Sequence, residues 1–246
     1  MWHEARVAVV VPAYREARLI ARTLAGIPRF VDGIFVVDDH SPDHTLSVAR
    51  ACSDPRMRCL SHPSNRGVDA AIVTGYRAAL GEGHDVLAVM AGDDQMHPDD
   101  LGALVEPVAR GTADYAKGNR CLHPEAHRIP RLRRWGGAWL STVTRLASGL
   151  SLSDTQCGYT ALSARAARQL ELGSLWPRFG YPNDLILMLA RQGMRVVEVP
   201  VRPVYADEES GVRAWHLLSI SALVARRWWQ GEKPGRRSEE QWVPSP

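Results

Sequence analysis

The stretch Val7-Ala8-Val9-Val10-Val11-Pro12-Ala13-Tyr14-Arg15-Glu16 decides the fold of this 246-residue chain. Its first five residues are apolar and mostly β-branched, which predicts a buried strand. The residues that follow are largely apolar at helical spacing, namely Leu19, Ile20, Thr23, Leu24 and Ile27. A strand followed by an amphipathic helix is the basic unit of an α/β fold, so this stretch sets the fold class.

The same unit repeats along the first half of the chain. Apolar runs predict further strands at 34–37, 58–60 and 85–90, and helical spacing predicts a helix over 68–80. Ser41-Pro42-Asp43 predicts the start of another helix, because serine caps helices and proline favours the first helical position. Strands that alternate with helices indicate a mostly parallel sheet with helices on both faces.

The second half of the chain is less regular. Strands are predicted at 114–117 and 195–199, and helices at about 136–148 and 183–192. An arginine-rich loop precedes the first of these helices, and a glycine-containing segment at 153–162 lies between them. This half therefore reads as a mixed structure joined to the parallel one.

Composition excludes several classes of protein. The chain is 45% hydrophobic, and 30 basic against 27 acidic residues give a net charge of only +3, so we expect no nucleic-acid partner. The four cysteines show neither zinc nor disulfide spacing, which fits a reducing cytoplasm. No signal peptide is expected at the start of the sequence, and the longest uncharged run, 214–225, is short for a membrane span.

Acidic loops follow two of the predicted strands. The loop after the first strand, 12–16, contains no glycine, which argues against a dinucleotide-binding site. Asp38-Asp39 and Asp93-Asp94 follow the second and fourth strands, and such carboxylates repel one another unless a cation or a donor-rich ligand lies between them. Taken singly, each pair could be a solvated turn or a helix cap. Asp93 with Gln95 also offers hard oxygen ligands that suit Mg²⁺ or Mn²⁺.

Seven motifs in order carry a resemblance to a known family. They are residues 10–16 (Val-Val-Pro-Ala-Tyr-Arg-Glu), 37–43 (Val-Asp-Asp-His-Ser-Pro-Asp), 65–67 (Asn-Arg-Gly), 92–98 (Gly-Asp-Asp-Gln-Met-His-Pro), 118–120 (Gly-Asn-Arg), 154–159 (Asp-Thr-Gln-Cys-Gly-Tyr) and 180–184 (Gly-Tyr-Pro-Asn-Asp). Over about residues 5–212 the chain resembles family 2 glycosyltransferases, in particular the polyprenyl-phosphate sugar transferases typified by dolichyl-phosphate mannose synthase.

The resemblance implies a GT-A fold and inverting transfer of a hexose from a nucleoside diphosphate sugar, such as a UDP- or GDP-hexose, to a polyprenyl phosphate. It implies one domain over 1–231, with a nucleotide-binding half at about 5–113 and an acceptor half at about 114–212. The composition of residues 232–246 predicts a flexible tail. Asp93 and Gln95 would hold Mg²⁺ or Mn²⁺ on the diphosphate. The residues implied for the nucleotide sugar are Pro12, Ala13, Tyr14, Glu16, Asp38, Asp39, Asn65, Gly67 and Asp93.

Two positions depart from the family pattern. Ala91 stands where relatives carry the first carboxylate of an Asp-x-Asp motif, which removes one acidic group from the metal site. Asp94 could substitute for it. Asp69 stands where relatives often carry glycine, and it could contact a donor hydroxyl or simply favour a helix N-terminus. A sugar-nucleotide-binding protein without activity is the alternative that the Ala91 departure raises.

On the acceptor side, five arginines cluster between residues 120 and 134, namely Arg120, Arg128, Arg131, Arg133 and Arg134. Arginine matches phosphate oxygens well, so Arg120, Arg131 and Arg134, with Gln156, are the predicted acceptor contacts. The same cluster could instead be a solvated basic loop or a contact with an anionic membrane.

The predicted catalytic residues are Asp184 and Asp154. If the acceptor is a hydroxyl of a glycolipid, a polysaccharide or a small metabolite, a base must take its proton, and Asp184 is the first candidate. A phosphate monoester is already anionic and needs no base, and Asp184 would then orient or cap. Asp154 could equally serve a turn.

A helix over 213–231 combines an apolar face with tryptophans and arginines, which suits the surface of a membrane. The alternative is a helix docked on the core of the protein. We expect a cytoplasmic enzyme of the cell envelope that is peripheral on the inner face of the membrane.

Overall fold

The computed structural model describes residues 1–176, 180–204 and 214–229. Its strands are β1 (Val7–Ala13), β2 (Gly33–Asp38), β3 (Met57–Ser61), β4 (Val86–Val89), β5 (Tyr115–Asn119), β6 (Thr160–Ser163) and β7 (Val196–Pro200). Its helices are α1 (Ile20–Gly26), α2 (Thr45–Ala51), α3 (Val68–Gly81), α4 (Asp100–Ala109), α5 (Arg131–Ser148), α6 (Ala164–Gln169), α7 (Tyr181–Arg191) and α8 (Ala214–Trp229), with short 3₁₀ turns at Pro124–Arg128 and Leu172–Ser174.

The seven strands form one sheet in the order β3-β2-β1-β4-β6-β5-β7. The pairs that β1 makes with β2 and β4 are parallel, as are β2 with β3 and β5 with β7. Only β6 runs antiparallel to its neighbours, β4 and β5. The prediction of a mostly parallel sheet is confirmed, and the sheet continues across the boundary between the two predicted halves.

Helices cover both faces of this sheet. Every residue of β1 is buried, and its side chains alternate between two apolar clusters. One cluster contains Val9 and packs under α1 and α4, for example on Leu104. The other contains Val10 and packs under α3, for example on Tyr76. A strand buried on both faces explains why its sequence is a continuous apolar run rather than an alternating one.

A third cluster joins α5, α7 and α8. It is formed by Leu140, Leu187, Ile220 and Val224, which are each at most 3% exposed. The predicted helix over 213–231 is present as α8, and one of its faces docks on the protein. The predicted tail over 232–246 lies outside the described residues. None of the helices in the described ranges has the length and apolar content that crossing a bilayer requires.

Two local predictions were wrong, and one strand was missed. The second helix begins at Thr45 rather than at Ser41-Pro42, because His40 adopts φ 60° and Asp38 accepts the N–H of Ser41, so that this segment forms a turn. The helix expected from 136 begins at Arg131, directly after Pro130, and absorbs the end of the arginine-rich segment. β6 was not predicted as a strand, because four residues with serine and threonine at their ends lack a clear pattern.

Close packing of α3 on β1 yields a test of the fold. A Cβ added at Gly75 would lie 2.2 Å from Cγ1 of the buried Val10, whereas one at Gly81, in the same helix, meets nothing within 4 Å. We expect Gly75→Ala to lower the free energy of unfolding by about 1–3 kcal/mol, or more, because the added methyl group overpacks the core. Gly81→Ala should raise it by about 0.4–1 kcal/mol. Urea unfolding measures both, and equal effects of the two substitutions would contradict the packing of α3 on β1.

Candidate active site

Four loops meet at one edge of the sheet because β1 to β4 run in the same direction. The strand register pairs Ala13 with Asp38 and Asp38 with Ser61. The N–H of Gly92, in the loop after β4, donates to the carbonyl of Pro12 at 3.1 Å. The structure therefore brings the predicted donor residues of these loops together at the carboxyl ends of parallel strands, where open α/β sheets bind ligands.

Asp38 combines burial with an unsatisfied oxygen. Its carboxylate is 4% exposed, Oδ2 accepts the N–H of Ser41 at 3.2 Å, and Oδ1 has no hydrogen-bond partner. A cavity of about 520 Å³ opens beside it, lined also by His40, Ser41, Asp43, Leu46, Ser47, Arg50, Ser61 and His62. A buried oxygen without a partner is costly, so this atom suits a ligand that supplies an N–H or O–H.

The carboxylate of Asp39 is engaged in hydrogen bonds with the protein. Its Oδ1 accepts from Nδ1 of His62 at 2.7 Å and from the N–H of Arg66 at 2.9 Å, and its Oδ2 accepts the N–H of Gly67 at 2.7 Å. Its carbonyl accepts from Nδ2 of Asn65 at 3.3 Å. Asp39 therefore fixes the loop that carries Asn65 and Gly67, and its own side chain is held away from a ligand.

Tyr14 and Glu16 lie at the rim of the same edge. Tyr14 is 40% exposed, and the guanidinium of Arg15 lies 5.2 Å from the centroid of its ring. The N–H of Glu16 donates to Oγ1 of Thr45 at 2.8 Å, which ties the loop after β1 to the start of α2. An exposed ring at the mouth of a site can stack on a planar ligand.

The loop after β4 brings Asp93 and Gln95 together. The N–H of Gln95 donates to Oδ1 of Asp93 at 3.1 Å. Asp94 instead adopts φ 57°, donates its N–H to Oγ1 of Thr23 and forms an ion pair with Arg22. Asp94 therefore points toward α1, and it does not replace the carboxylate that Ala91 lacks.

The donor set still fits a divalent cation. Asp93 and Gln95 supply two hard oxygen ligands, and Mg²⁺ usually completes its shell with phosphate oxygens and water. Within the described ranges, no group of three or more His, Cys, Asp or Glu side chains could hold a metal ion. A cation at this position would thus depend on oxygens of the ligand itself.

On the acceptor side, Arg120 and Asp154 form a forked ion pair. Nε of Arg120 donates to Oδ2 at 2.8 Å and Nη2 donates to Oδ1 at 2.9 Å. Asp154 is 5% exposed, and although burial opposes its ionisation, the hydrogen bonds and charge of Arg120 hold its pKa below 3.8. Asp154 thus fixes the Arg120 guanidinium, which is 28% exposed.

Lys117 lies beneath this pair and is wholly buried. Its Nζ donates to the carbonyl of Cys157 at 2.7 Å, and burial lowers its pKa below 10.5, although the nearby carboxylate of Asp154 favours the charged form. The lysine therefore anchors the 154–158 segment. Sequence analysis placed it in a predicted strand and assigned it no role.

Gln156 and Asn183 belong to a polar network between α5 and α7. Nε2 of Gln156 donates to Oδ1 of Asn183 at 2.6 Å, and Nδ2 of Asn183 donates to Oγ1 of Thr144 at 2.6 Å. Asp184, next in sequence, has no exposed surface, and its Oδ2 accepts the N–H of Trp176 at 2.8 Å. Asp184 is therefore anchored at the start of α7 rather than exposed.

Two contacts join the donor and acceptor sides. The hydroxyl of Tyr159 donates to the carbonyl of His97 at 3.1 Å, and a Cβ at Gly158 would lie 3.1 Å from Cε of Met96. The segment that carries Asp154 and Gln156 therefore packs against the loop that carries Asp93 and Gln95. Arg131 and Arg134 are exposed in the first turn of α5.

Sequence reasoning missed His62, Lys117 and Asn183. Nothing in a single sequence pairs His62 with Asp39 across 23 positions, and a lysine in a strand gives no sign of burial. Asn183 belongs to the 180–184 motif that carried the resemblance, so that motif could have marked it as a site residue.

Comparison with known proteins identifies the family. The family model described as "Glycosyl transferase family 2" matches residues 8–170, more than half of the chain. The chain is a family 2 glycosyltransferase. As a member of this family it is an enzyme.

Similar glycosyltransferases of this family differ in the sugars that their names specify. An undecaprenyl-phosphate mannosyltransferase of Micrococcus luteus is 31% identical over 92% of this chain and 97% of its own length. A UDP-N-acetylglucosamine–dolichyl-phosphate N-acetylglucosaminyltransferase of Methanococcus voltae is 25% identical over 81% of this chain and 86% of its own. In both names, the acceptor is a polyprenyl phosphate.

A solved structure confirms the GT-A fold of this glycosyltransferase. Glucosyl-3-phosphoglycerate synthase from Mycobacterium tuberculosis, in complex with Mn²⁺, UDP and its product, superposes with a TM-score of 0.68. The match covers 92% of this chain and 80% of the other, at 21% identity. At that identity the likeness concerns the fold.

The burial of Lys117 predicts a pH-dependent stability. Because its folded pKa is lowered, the folded state binds fewer protons than the unfolded state as pH rises toward 10.5, so stability rises with pH in that window. Lys117→Met, of similar volume, should remove this gain. Urea unfolding at several pH values from 7 to about 10 measures the difference between the two proteins. Parallel stability curves for the lysine and methionine forms would contradict the burial of a titrating lysine.

Proposed function

We propose that this glycosyltransferase transfers a hexose, with inversion, from a UDP- or GDP-hexose to a polyprenyl phosphate. The observation that carries the donor half is the buried, unpartnered Oδ1 of Asp38 beside an open cavity at the carboxyl edge of the sheet. The polyprenyl phosphates in the names of the relatives support the acceptor half.

The nucleotide would bind where the loops after β1, β2 and β3 meet. Oδ1 of Asp38 would accept an N–H of the base, and the exposed ring of Tyr14 would stack on it. Pro12, Ala13 and Glu16 would line the edge. Asn65 and Gly67 would contact the nucleotide through the loop that Asp39 fixes, and Asp39 thereby acts as a positioning residue.

The diphosphate would lie against the loop after β4. Asp93 and Gln95 would hold Mg²⁺ or Mn²⁺ there, and a bound cation supplies charge stabilisation for the leaving nucleoside diphosphate. With only two protein ligands, affinity for the cation should depend strongly on the nucleotide. The Mn²⁺ and UDP that accompany the structurally similar synthase support a divalent cation as cofactor.

The acceptor phosphate would meet Arg120, which Asp154 holds in place, together with Arg131 and Arg134 at the start of α5. Gln156 would act through its network to Asn183. An anionic phosphate oxygen attacks without a base. In this scheme Asp154 and Asp184 orient the site, as their burial and protein contacts support.

The continuous sheet supports treating 1–231 as one domain. The four cysteines are free, which fits a reducing compartment. A polyprenyl phosphate is a membrane lipid, so the enzyme would meet this acceptor at a membrane surface. We therefore place the enzyme at the cytoplasmic face of a membrane, as a peripheral protein of the cell envelope.

Substitution of Asp38 tests the donor site. Asp38→Asn keeps the shape of the side chain but removes the charged acceptor, and we expect nucleotide affinity to fall about 10- to 100-fold. The matched control is Asp32→Asn, since Asp32 also accepts a backbone N–H, from Val7, but lies at the opposite edge of the sheet. Calorimetry with UDP and GDP in the presence of Mg²⁺ measures both variants. Equal affinities of the Asp38 variant and the unmodified enzyme would contradict the proposed base site.

A hydroxyl acceptor, with Asp184 as its base, is the second candidate function. The position of Asp184 at the start of α7, next to a residue bonded to Gln156, favours it. Loss of a base typically costs 10²- to 10⁴-fold in rate. An anchoring carboxylate can be replaced by an amide, whose oxygen still accepts the N–H of Trp176.

Asp184→Asn therefore separates the two acceptors. For transfer to a phosphate, we expect the rate to stay within a few-fold of the unmodified enzyme, measured as sugar transfer at saturating donor. Nucleotide affinity, measured in parallel, shows that the site is intact. A rate loss of 10²-fold or more with unchanged nucleotide affinity would favour the hydroxyl acceptor instead.

A further inference from the structure

A narrow stripe of large apolar side chains runs along the outer face of α5. Leu132, Trp135, Trp139 and Leu146 are 85, 77, 58 and 77% exposed. At about 100° per residue they project within roughly 60° of one another, opposite the buried face of the helix that contains Leu140. Single exposed apolar residues are ordinary on protein surfaces, but two tryptophans and two leucines in one row are not.

A second stripe lies on α8. Leu218, Ala222, Ala225 and Trp229 are exposed and share one face, away from the face that docks on the core. Nε1 of Trp139 donates to Oγ of Ser221 at 3.2 Å, and Ser221 lies one turn from Leu218. We call the two stripes together the α5–α8 apolar face.

The charge around this face identifies its partner. The two helices contain six arginines and no acidic residue. Arg131, Arg134 and Arg145 are exposed and flank one side of the α5 stripe, and Arg226 is exposed on α8. In a symmetric pair of chains these arginines would confront one another, whereas anionic lipid headgroups would neutralise them. Tryptophan at the level of the headgroups, with arginine beside it, is the composition of helices that lie in a membrane interface.

We propose that the α5–α8 apolar face inserts into the interface of an anionic bilayer. The face begins at the turn of α5 that carries Arg131 and Arg134. Ser141, in the same helix, accepts the N–H of Thr155 at 3.1 Å, directly after Asp154, the partner of Arg120. Insertion would therefore set the acceptor side of the site close to the headgroups. The role of this contact in supplying the acceptor rests on the proposed function, but the binding itself does not.

Sedimentation with vesicles tests the proposal on the full chain. We expect binding to vesicles of three parts phosphatidylcholine to one part phosphatidylglycerol, and much weaker binding to phosphatidylcholine alone. Trp135→Ser with Leu146→Ser should reduce the partition coefficient by at least about tenfold, because both side chains are largely exposed in the free protein and would be buried in the interface.

A charge variant with a matched control gives an independent arm. Arg145→Gln should weaken binding to the anionic vesicles about fivefold and leave binding to neutral vesicles unchanged. Arg168→Gln removes another exposed helical arginine, on α6, and should change neither. Urea unfolding of each variant verifies that the fold is kept, as expected for exposed positions.

Two outcomes would overturn the proposal. One is binding that the serine variant leaves unchanged. The other is a concentration-dependent dimer, seen by ultracentrifugation without lipid and abolished by the serine variant, in a protein that does not bind vesicles. That result would make this face a contact between copies of the chain. Transfer to a water-soluble, short-chain polyprenyl phosphate should persist in the serine variant, so a failure of membrane binding is distinguishable from a failure of the proposed function.

Discussion

The pairing of β1 between β2 and β4 is the constraint on which the rest of the structure depends. All seven residues of β1 are buried, and both of its neighbours run parallel to it. Parallel pairing forces each connection to cross the sheet and brings the loops after the strands to one edge. Because the strand order reverses between β3 and β4, right-handed crossovers place helices on both faces. The proposed donor site is therefore a consequence of the strand pairing, because Asp38 ends β2 and the Asp93 loop follows β4, the two strands that flank β1.

Buried charge shapes the other half of the site. Lys117 donates to the carbonyl of Cys157 and Arg120 pairs with Asp154, so both cations hold the 154–158 segment. The buried charges of Lys117 and Asp154 would be costly without such partners. In the forked contact, both carboxylate oxygens of Asp154 accept from Arg120 and so orient its guanidinium. Such an arrangement presents a fixed cation to an anionic acceptor, and it leaves the Asp154 carboxylate oriented toward the protein. This is why the structure favours an orienting role for Asp154 over a catalytic one.

The sequence predicted the parts of the protein that depend on local pattern. The apolar run of β1 and the repeated strand–helix units predicted the sheet, and acidic residues at strand ends indicated the edge at which we propose the donor site. What it missed depends on contacts between distant residues. No local pattern shows that Arg120 pairs with Asp154, 34 positions away, or that Lys117 is buried. Nor does any local pattern show that Asp39 holds the loop after β3. The helical start at Arg131 was missed because four arginines with few apolar neighbours resemble a loop, although Pro130 marks the boundary.

The most direct test of the account is nucleoside diphosphate release from a panel of UDP- and GDP-hexoses with Mg²⁺ or Mn²⁺, with and without a short-chain polyprenyl phosphate. The account predicts release from one donor that depends on the metal and is strongly stimulated by the lipid phosphate. Slow release that the lipid phosphate does not change, for every donor that binds, would contradict transfer to a polyprenyl phosphate.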